Sequence, residues 1–229
     1  MPPQPRHVHP TAPLAPRALL PGDPGRALLL AQELTDEPRM FNHNRGLWGY
    51  TGTAPDGEPV TIMSHGMGGP SAAIVLEELC DLGLEVAIRI GSCGALDERL
   101  RLGDLVASTS VIAADGTSRA LGAGDALLPD PELLEILGDG ADHAGTTVST
   151  DLFYDPVSGR ADAWRAAGAL AVEMEAATVL AVAARRGIRA ACLLTVSDAA
   201  AGGGERISAE ALEAASRRLG TVALAALSA

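Results

Sequence analysis

The stretch that decides the fold is Val86-Ala87-Ile88-Arg89-Ile90-Gly91-Ser92-Cys93-Gly94-Ala95. Its first half is an apolar run broken by Arg89, which is typical of a strand buried in a parallel sheet. Its second half consists of small residues, and Gly91 to Gly94 is expected to form a turn whose N–H groups approach a ligand closely. An arginine at the carboxyl end of a strand favours an oxyanion such as phosphate. Pairing of Arg89 with a nearby carboxylate is the alternative.

The length and composition predict one large α/β domain with a substantial core. The chain has 229 residues, of which 47% are hydrophobic and 3% aromatic, so the core is expected to be aliphatic and rich in alanine. No internal repeat and no second domain is evident. Residues 1–17 contain six prolines and are expected to form an extended arm outside the core, which leaves residues 18–229 as the domain.

The charge pattern excludes several classes of function. The net charge is −12, which argues against sequence-independent binding of nucleic acid. The sequence contains no lysine, so Schiff-base and Walker-lysine chemistry are excluded. The cysteines (Cys80, Cys93 and Cys192) are widely spaced, which fits a reducing cytosol and no structural zinc. No apolar run reaches the roughly 18 residues of a membrane helix and no signal peptide is evident, so a cytoplasmic protein without membrane contact is expected.

The segment from Arg17 to Arg26 predicts an anion site at the start of a helix. A short strand over 17–20 runs into Pro21-Gly22-Asp23-Pro24-Gly25, where Asp23 suits the N-cap and Pro24 the first helical position. A helix N-terminus attracts anions, and Arg26 adds a full charge on its first turn. Ordinary capping beside a solvated arginine is the alternative.

The middle of the chain predicts a hairpin and then a strand–helix–strand unit. Strands are expected over 47–53 and 59–64, joined at Asp56-Gly57. The glycine-rich loop His65 to Ser71 follows, then a helix to about Leu82 and a strand over 84–90. The loop lacks the dinucleotide-binding spacing. Farther on, strands are expected over 103–113 and 146–150 with a short helix over 131–137 between them. Phe153 and Tyr154 either stack on a planar ligand or fill the core.

The last third of the chain carries the acidic candidates. Val172-Glu173-Met174-Glu175 is expected to open a helix that ends at Gly187, with the two carboxylates on different sides. A strand over 189–196 then brings Ser197 and Asp198 to its carboxyl end, where open α/β sheets bind ligands. The loop 199–204 is small and is expected to close over substrate. A final helix is expected from about Ser208.

Several segments in this order resemble the nucleoside phosphorylase family of the hexameric bacterial purine nucleoside phosphorylase and uridine phosphorylase type. They are Leu20-Pro21-Gly22-Asp23-Pro24-Gly25-Arg26, Asn44-Arg45-Gly46, His65-Gly66-Met67-Gly68-Gly69-Pro70-Ser71, Ile88-Arg89-Ile90-Gly91-Ser92-Cys93-Gly94, Asp151-Leu152-Phe153-Tyr154, Val172-Glu173-Met174-Glu175-Ala176-Ala177 and Thr195-Val196-Ser197-Asp198. The resemblance covers nearly the whole chain. It implies a single-domain three-layer α/β/α sandwich with a mixed, partly barrel-like central sheet.

The same resemblance implies a set of site residues. Phosphate would be held by Gly22, Arg26, Arg89 and Ser92, with Arg45 given by a neighbouring subunit. Ribose would meet Met67, Met174, Glu175 and an arm histidine of the partner subunit, for which His7 fits better than His9. The base would meet Cys93, Gly94, Phe153, Val172, Glu173 and Ser197, with Asp198 as the catalytic acid and Arg206 across the loop from it. No metal and no cofactor are expected, and inorganic phosphate is the co-substrate. The shared Arg45 and His7 imply a homo-oligomer, expected to be a hexamer built as a trimer of dimers. A metal held by His7 and His9 is the disfavoured alternative.

The implied chemistry is the phosphorolysis of a purine nucleoside. Breaking the N-glycosidic bond builds positive charge on the ribose and negative charge on the leaving base. Phosphate held by guanidinium groups stabilises the first charge, and a protonated Asp198 at purine N7 neutralises the second. Arg206 is expected to engage Asp198 only in a closed state.

Several alternatives remain open at the level of sequence. The segment 155–160 lacks the glutamine with which uridine phosphorylases read a pyrimidine, although 114–119 resembles some pyrimidine members. Hydrolytic relatives lack the phosphate arginines, so Arg26, Arg45 and Arg89 favour phosphorolysis. A non-catalytic nucleoside-binding protein is the third alternative, against which Asp198 and Arg206 count. The preference between 6-oxo and 6-amino purines is left open, as is the effect of the short loop before Arg206.

Overall fold

The computed structural model describes residues 5–199 and 204–229. Its helices and strands, in chain order, are β1 (Arg17–Pro21), α1 (Pro24–Leu34), β2 (Asp36–Asn42), β3 (Gly49–Thr53), β4 (Pro59–Met63), α2 (Gly69–Asp81), β5 (Val86–Ala95), β6 (Leu105–Ala114), α3 (Gly116–Ala120), β7 (Ala126–Leu127), α4 (Pro131–Gly140), β8 (His143–Thr150), α5 (Arg160–Ala166), β9 (Ala171–Glu173), α6 (Ala176–Arg186), β10 (Arg189–Ala199) and α7 (Ala209–Leu227). A short 3₁₀ helix, Asn44–Gly46, lies between β2 and β3.

The central sheet is mixed and part of it closes on itself. The pairings run β10-β6-β8-β9-β5, and β5 pairs with β10 again, which forms a small barrel. From β5 the sheet continues as an open arm through β1, β4, β3 and β2. The pairs β1–β4, β1–β5 and β10–β5 are parallel, so the carboxyl ends of these four strands share one edge. The expected fold class, with its partly barrel-like mixed sheet, is confirmed.

Helices cover the sheet on two sides and give it two apolar cores. Helices α1, α4 and α7 contribute Leu30, Leu133 and Leu219 to one core, with β-strand residues such as Ile88. Helices α2 and α6 contribute Val75 and Val179, among others, to the second core. Burying each such aliphatic side chain contributes roughly 1.5–3 kcal/mol, so the two layers hold the sheet edge that carries the site.

The expected turn over Gly91–Gly94 is wrong, because the strand continues through it. Strand β5 extends to Ala95, with Ser92 paired to Thr195 and Cys93 paired to Val196 of β10. On its other side Gly94 pairs with Val172 of β9. Closure of the barrel supplies hydrogen-bond partners on both sides of these small residues, and those partners lie far away in sequence. The small residues therefore line a strand end in place of a turn.

The expected helix start at Val172 is also wrong. Residues Ala171–Glu173 form β9, and α6 begins only at Ala176. The Glu173 carboxylate accepts the N–H groups of Glu175 (2.8 Å) and Ala176 (2.9 and 3.0 Å). Because Glu173 satisfies these free N–H groups, it ends the strand and stabilises the helix N-terminus from outside the helix.

The N-terminal arm is more closely packed than its composition predicts. Val8 is fully buried and belongs to a core, and Ala15 is 2% exposed. The Thr11 N–H donates to the carbonyl oxygen of Phe41 over 2.8 Å. The expectation that the arm lies outside the core therefore fails at these positions, since its apolar side chains pack between prolines that keep it extended. Across residues 5–199 and 204–229, no helix combines the length and the apolar character needed to cross a membrane.

Candidate active site

The edge where β1, β4, β5 and β10 end gathers most of the predicted site residues. The loops after β1 and β4 are joined there by backbone hydrogen bonds, from the His65 N–H to the Pro21 carbonyl (2.9 Å) and from the Gly66 N–H to the Gly22 carbonyl (3.1 Å). A Cβ atom on Gly22 would lie 3.1 Å from the Gly66 carbonyl oxygen, so the close approach of the two loops favours glycine.

Helix α1 starts at this edge and carries Arg26 into it. Asp23 is the N-cap, and its carboxylate accepts the Arg26 N–H over 2.6 Å, as the sequence predicts. The Arg26 guanidinium donates from Nη2 to the hydroxyl of Ser92 (2.9 Å) and from Nε to that of Ser216 (3.0 Å). Burial lowers the pKa of Arg26, Asp23 raises it, and the nearby charge of Arg89 lowers it again.

Arg89 lies close enough to Arg26 to affect its charge and pairs with two acids. Its Nε donates to Glu173 (2.7 Å) and its Nη2 pairs with Glu175 (2.5 Å), while only 3% of its side chain is exposed. Burial opposes the charge of Arg89, but Glu175 and Glu173 outweigh it and raise the pKa of the guanidinium. The alternative in which Arg89 pairs with nearby carboxylates is therefore confirmed, and anion binding by Arg89 stays a prediction.

His65 completes the buried cluster as a neutral side chain. Its Nε2 lies 3.0 Å from Nη1 of Arg89, and the histidine is 1% exposed. Burial, together with the charge of Arg89, lowers the pKa of His65 to about 3. Since a guanidinium only donates, Nε2 is the acceptor and the ring proton is on Nδ1. Within the described part of the chain, Nδ1 has no hydrogen-bond partner.

Glu175 contacts the glycine loop beside a cleft that two of the predicted ribose contacts line. Its Oε1 accepts the Gly68 N–H over 2.5 Å, which ties the glycine loop to the start of α6. Met67, 86% exposed, and Met174 line a cleft of about 570 Å³ beside that contact. The remaining lining residues are Gly68, Pro70, Gly116, Thr117, Ala120 and Asp151. Sequence reasoning missed Thr117 and Asp151, whose carboxylate accepts the Gly116 N–H over 2.7 Å.

Asp198 occupies the far end of the same edge. It pairs with Gly94 across a bulge in β10, and its backbone forms an antiparallel bridge with Arg206. The Ser197 hydroxyl donates to Asp198 Oδ2 over 2.9 Å. Among the described residues, the Arg206 guanidinium has no carboxylate within 4.0 Å, so the bridge joins only the backbones.

A second cleft of about 370 Å³ opens beside Asp198 and includes Arg101 and Glu205, which sequence reasoning did not select. The expected closing loop falls largely on residues 200–203, outside the described part of the chain.

The aromatic candidates lie at the surface. Phe153 is 63% exposed and Tyr154 is 90% exposed, and their rings contact edge to face with centroids 5.0 Å apart. The alternative in which they fill the core is therefore wrong. Their exposure leaves a Phe153 ring face free to stack on a ligand.

Three other residues predicted to contact the base make hydrogen bonds or strand pairs within the protein itself. Glu173 is fully occupied by Arg89, the Ser149 hydroxyl and the N-terminus of α6. Cys93 is buried and its Sγ donates to the Thr195 carbonyl, and burial raises the pKa of the thiol well above its usual range. Val172 is paired with Gly94. Within residues 5–199 and 204–229, no cluster of three or more His, Cys, Asp or Glu side chains is arranged to hold a metal ion.

Among the described residues, no hydrogen bond or ion pair joins Arg45 or His7, expected to serve a neighbouring subunit, to the buried Arg89 cluster. Arg45 is exposed in the 3₁₀ helix with a left-handed φ of 58°. His7 donates from Nδ1 to the Glu78 carboxylate over 2.7 Å, and the same carboxylate accepts the backbone N–H groups of Arg6, His7 and Val8. His9 instead contacts the Arg6 carbonyl oxygen through Nε2 at 3.2 Å.

Three residues around Arg26 and Arg89 were not selected from the sequence, for different reasons. His65 begins the glycine-rich loop, and its position two residues after the end of β4 is the signal that could have selected it. Thr195 is paired with Ser92 and has a buried hydroxyl without a partner in the described residues. Ser216 lies inside α7, 190 residues from Arg26, and no local pattern points to it.

Known proteins are similar to this chain in sequence and in fold. The chain matches the Phosphorylase superfamily over residues 16–228. It is 40% identical over 186 residues to a guanosine phosphorylase of Halorubrum lacusprofundi, covering 78% of this chain and 76% of that protein. It is 36% identical over 201 residues to a DeoD-type purine nucleoside phosphorylase of Pectobacterium atrosepticum, covering 84% of each.

A solved structure gives the same picture. A uridine phosphorylase of Vibrio fischeri superposes with a TM-score of 0.84 at 25% sequence identity, over 93% of this chain and 91% of the other. The expected resemblance is confirmed by these matches in sequence and in fold. The chain therefore belongs to the phosphorylase superfamily and is a member of its nucleoside phosphorylases.

Proposed function

We propose that the protein cleaves purine nucleosides and 2′-deoxynucleosides with inorganic phosphate, and that it serves nucleoside salvage. The products are the free base and ribose 1-phosphate or deoxyribose 1-phosphate. The observation that carries the proposal is the shared sheet edge, which has the arginine pair Arg26 and Arg89 at one end and Asp198 at the other. The relatives named guanosine phosphorylase and DeoD-type purine nucleoside phosphorylase support the purine branch.

The charges at the arginine end suit the nucleophile. Arg89 is balanced by Glu173 and Glu175, whereas Arg26 is held by two neutral hydroxyls and keeps its charge for an anion. A phosphate held there by charge-assisted hydrogen bonds stabilises positive charge on the ribose and attacks its anomeric carbon. No cofactor takes part in this reaction.

Asp198 supplies the proton for the leaving base. A carboxylic acid at purine N7 neutralises the negative charge that develops as the glycosidic bond breaks. Arg206 is joined to Asp198 through the backbone, so a movement of the Arg206 side chain can bring its guanidinium to the carboxyl group. In this proposal that movement accompanies substrate binding and promotes the proton transfer.

The ribose and the neighbouring subunit complete the site. Glu175 accepts hydrogen bonds from ribose hydroxyls beside Met67 and Met174, and Phe153 stacks on the base. A neighbouring subunit contributes Arg45 and His7 in a homo-oligomer, which we propose to be a hexamer. His7 is favoured over His9, because Glu78 holds one ring nitrogen of His7 and leaves Nε2 free. We propose a cytoplasmic location, in line with its three free cysteines.

Phosphorolysis of uridine is the second candidate. The structural match to a uridine phosphorylase favours it, since the fold accommodates both branches. The segment Asp155–Arg160 counts against it, because it offers no glutamine to read a pyrimidine and its Arg160 pairs with Asp155 over 2.9 Å.

Release of free base from inosine, guanosine, adenosine and uridine, each with and without phosphate, tests the proposal. Phosphate-dependent release from the purine nucleosides supports it and distinguishes 6-oxo from 6-amino preference. Phosphate-dependent release of uracil moves the protein to the pyrimidine branch. If base is released equally fast with and without phosphate, the protein is a hydrolase. If no nucleoside releases its base, the remaining candidate is a non-catalytic nucleoside-binding protein. Either of the last two results refutes phosphorolysis.

A further inference from the structure

The side chain of Arg26 is held at two corners by neutral hydroxyl groups. Nε donates to Ser216 Oγ over 3.0 Å, and Nη2 donates to Ser92 Oγ over 2.9 Å. Ser92 lies on β5, whereas Ser216 lies on α7 and is only 3% exposed. The guanidinium is planar, so fixing these two corners also fixes the direction of the third nitrogen, Nη1.

Nothing acidic in the described part of the chain neutralises Arg26 at close range. No carboxylate oxygen there lies within 4.0 Å of its guanidinium, and the nearest candidate by sequence, Asp23, is occupied in capping α1. Nη1 likewise has no hydrogen-bond partner among those residues. Arg26 is thus a held, unneutralised cation, in contrast to Arg89 with its two carboxylates.

Ser216 is unusual on its own helix. The buried residues of α7 are Ala215, Ser216, Leu219, Gly220, Ala223, Leu224 and Ala226. Ser216 alone among these carries a polar side chain, and alanine would fill the same space. Gly220, one turn away, brings α7 so close to α1 that a Cβ atom there would meet Leu30 at 2.5 Å. The close helix packing accounts for a small residue at 216, but the hydroxyl is accounted for only by Arg26.

We propose that Ser216 is a positioning residue of the phosphate subsite: its hydroxyl holds Nε of Arg26, so that Nη1 points at the bound phosphate. The inference rests on the proposed function, in which Arg26 binds the phosphate nucleophile. Without the hydroxyl, Nε is left buried without a partner and the guanidinium turns to find another acceptor. Phosphate binding then weakens, whereas nucleoside binding, at the other end of the edge, does not.

The test compares Ser216→Ala with Thr221→Ala, a matched loss of an exposed α7 hydroxyl that bonds only to the Arg217 carbonyl in the described structure. The KM for phosphate at saturating nucleoside, the KM for nucleoside at saturating phosphate, and the calorimetric Kd for inorganic phosphate are measured. For Ser216→Ala we expect KM and Kd for phosphate to rise about tenfold or more, as for loss of a hydrogen bond to a charged group. The nucleoside KM and kcat at saturating phosphate should stay within about twofold, and Thr221→Ala should match the parent protein.

A second comparison separates positioning from a general structural effect. If Ser216 acts through Arg26, Arg26→Ala and the double variant Arg26→Ala/Ser216→Ala should have the same phosphate KM. An unchanged phosphate KM in Ser216→Ala, or a further loss of equal size in the Arg26→Ala background, overturns the inference. If the parent protein releases base without any need for phosphate, the proposed function fails instead. Calorimetry with phosphate then still decides the role of Ser216, and equal binding by the parent and Ser216→Ala overturns it.

Discussion

Nε of Arg89 donates to Oε2 of Glu173 over 2.7 Å in the interior, where the arginine side chain is 3% exposed and the glutamate side chain is not exposed at all. The same carboxylate holds the N–H groups at the start of α6. One acid thus fixes both Arg89 at the sheet edge and the N-terminus of the helix that Glu175 caps. Charge, strand end and helix start are coupled at this single residue.

Glu173→Ala should strongly destabilise the fold. It leaves the charge of Arg89 half compensated and frees the N–H groups of α6, and breaking a buried pair typically costs about 3–5 kcal/mol. Urea denaturation followed by circular dichroism measures the free energy of unfolding. Glu135→Ala, an exposed change on α4, is the control and should stay within about 0.5 kcal/mol of the parent. A loss below about 1 kcal/mol for Glu173→Ala would show that the ion pair contributes little net stability.

The protein should lose stability as the pH falls below 6.5 because of His65. In the unfolded chain this histidine titrates near 6.5, whereas burial and the charge of Arg89 lower its pKa to about 3 in the fold. The unfolded state therefore binds more protons between these pH values. The stability that the fold gains from a neutral His65 is complete above pH 6.5 and is lost as the pH falls towards 3. At pH 5 the loss reaches about 2 kcal/mol.

His65→Gln tests that origin, because the amide oxygen still accepts from Arg89 but does not titrate. Its free energy of unfolding should fall less steeply from pH 7 to pH 5 than that of the parent protein. The exposed His9→Gln is the matched control and should keep the parent slope. Equal slopes in all three proteins would mean that His65 is not the titrating group. The range above pH 5 is used because most carboxylates are already ionised there.

Arg45 should matter for catalysis and not for the stability of its own protomer. It is exposed and its guanidinium has no ion-pair partner in the described structure. If a neighbouring site uses it, Arg45→Ala should raise the phosphate KM roughly tenfold to a hundredfold with an unchanged melting temperature. The exposed Arg39→Ala should change neither value.

A mixture of Arg45→Ala and Arg26→Ala subunits, dissociated and reassembled together, distinguishes a shared site from a site within one chain. Mixed oligomers then contain some sites with both arginines, so the mixture should exceed the activity of either variant alone. Activity equal to the mean of the two separate variants would instead assign Arg45 to its own protomer.

Local signals predicted the parts of the fold that local chemistry determines. The Asp23 cap followed by Pro24 defined the start of α1, and Asp56-Gly57 located the turn between β3 and β4. These features depend on a few neighbouring residues, so a single sequence contains the information. The motif residues near Arg89 and Asp198 were likewise found at strand ends, and the structure brings them to one edge.

Contacts between distant segments explain what was missed. Gly91 to Gly94 look like a turn, but closure of the barrel against β10 makes them a strand. Val172 and Glu173 look like the first turn of a helix, but pairing with β5 and β8 makes them β9. The bond between Arg26 and Ser216 spans 190 residues, and an isolated serine in an alanine-rich helix carries no signal of it.

Asp198→Asn should lower kcat without weakening phosphate binding. The amide cannot supply the proton that the departing base needs, and general acid catalysis contributes typically 10²- to 10⁴-fold. Steady-state rates with a purine nucleoside at saturating phosphate measure kcat, and the phosphate KM should stay within about twofold. Asp125→Asn, at a fully exposed carboxylate, should match the parent enzyme. Arg206→Ala should lower kcat less than Asp198→Asn does. If Asp198→Asn kept the parent kcat, Asp198 would not be the acid of this reaction.

Glu78→Ala should release the N-terminal arm and act through His7. Burial opposes the charge of Glu78, but hydrogen bonds from the Val8 N–H, the His7 ring and the arm backbone hold its pKa below the usual value. Without this carboxylate, the amides of residues 6–8 should exchange with solvent faster, as hydrogen-exchange mass spectrometry measures. If His7 serves a neighbouring ribose site, Glu78→Ala, His7→Ala and the double variant should raise the nucleoside KM by the same factor. Glu77→Ala is the control, because Glu77 also lies on α2 but pairs at the surface with Arg186 of α6. It should leave the exchange rates and the nucleoside KM unchanged. Additive effects on KM would show that Glu78 and His7 act separately.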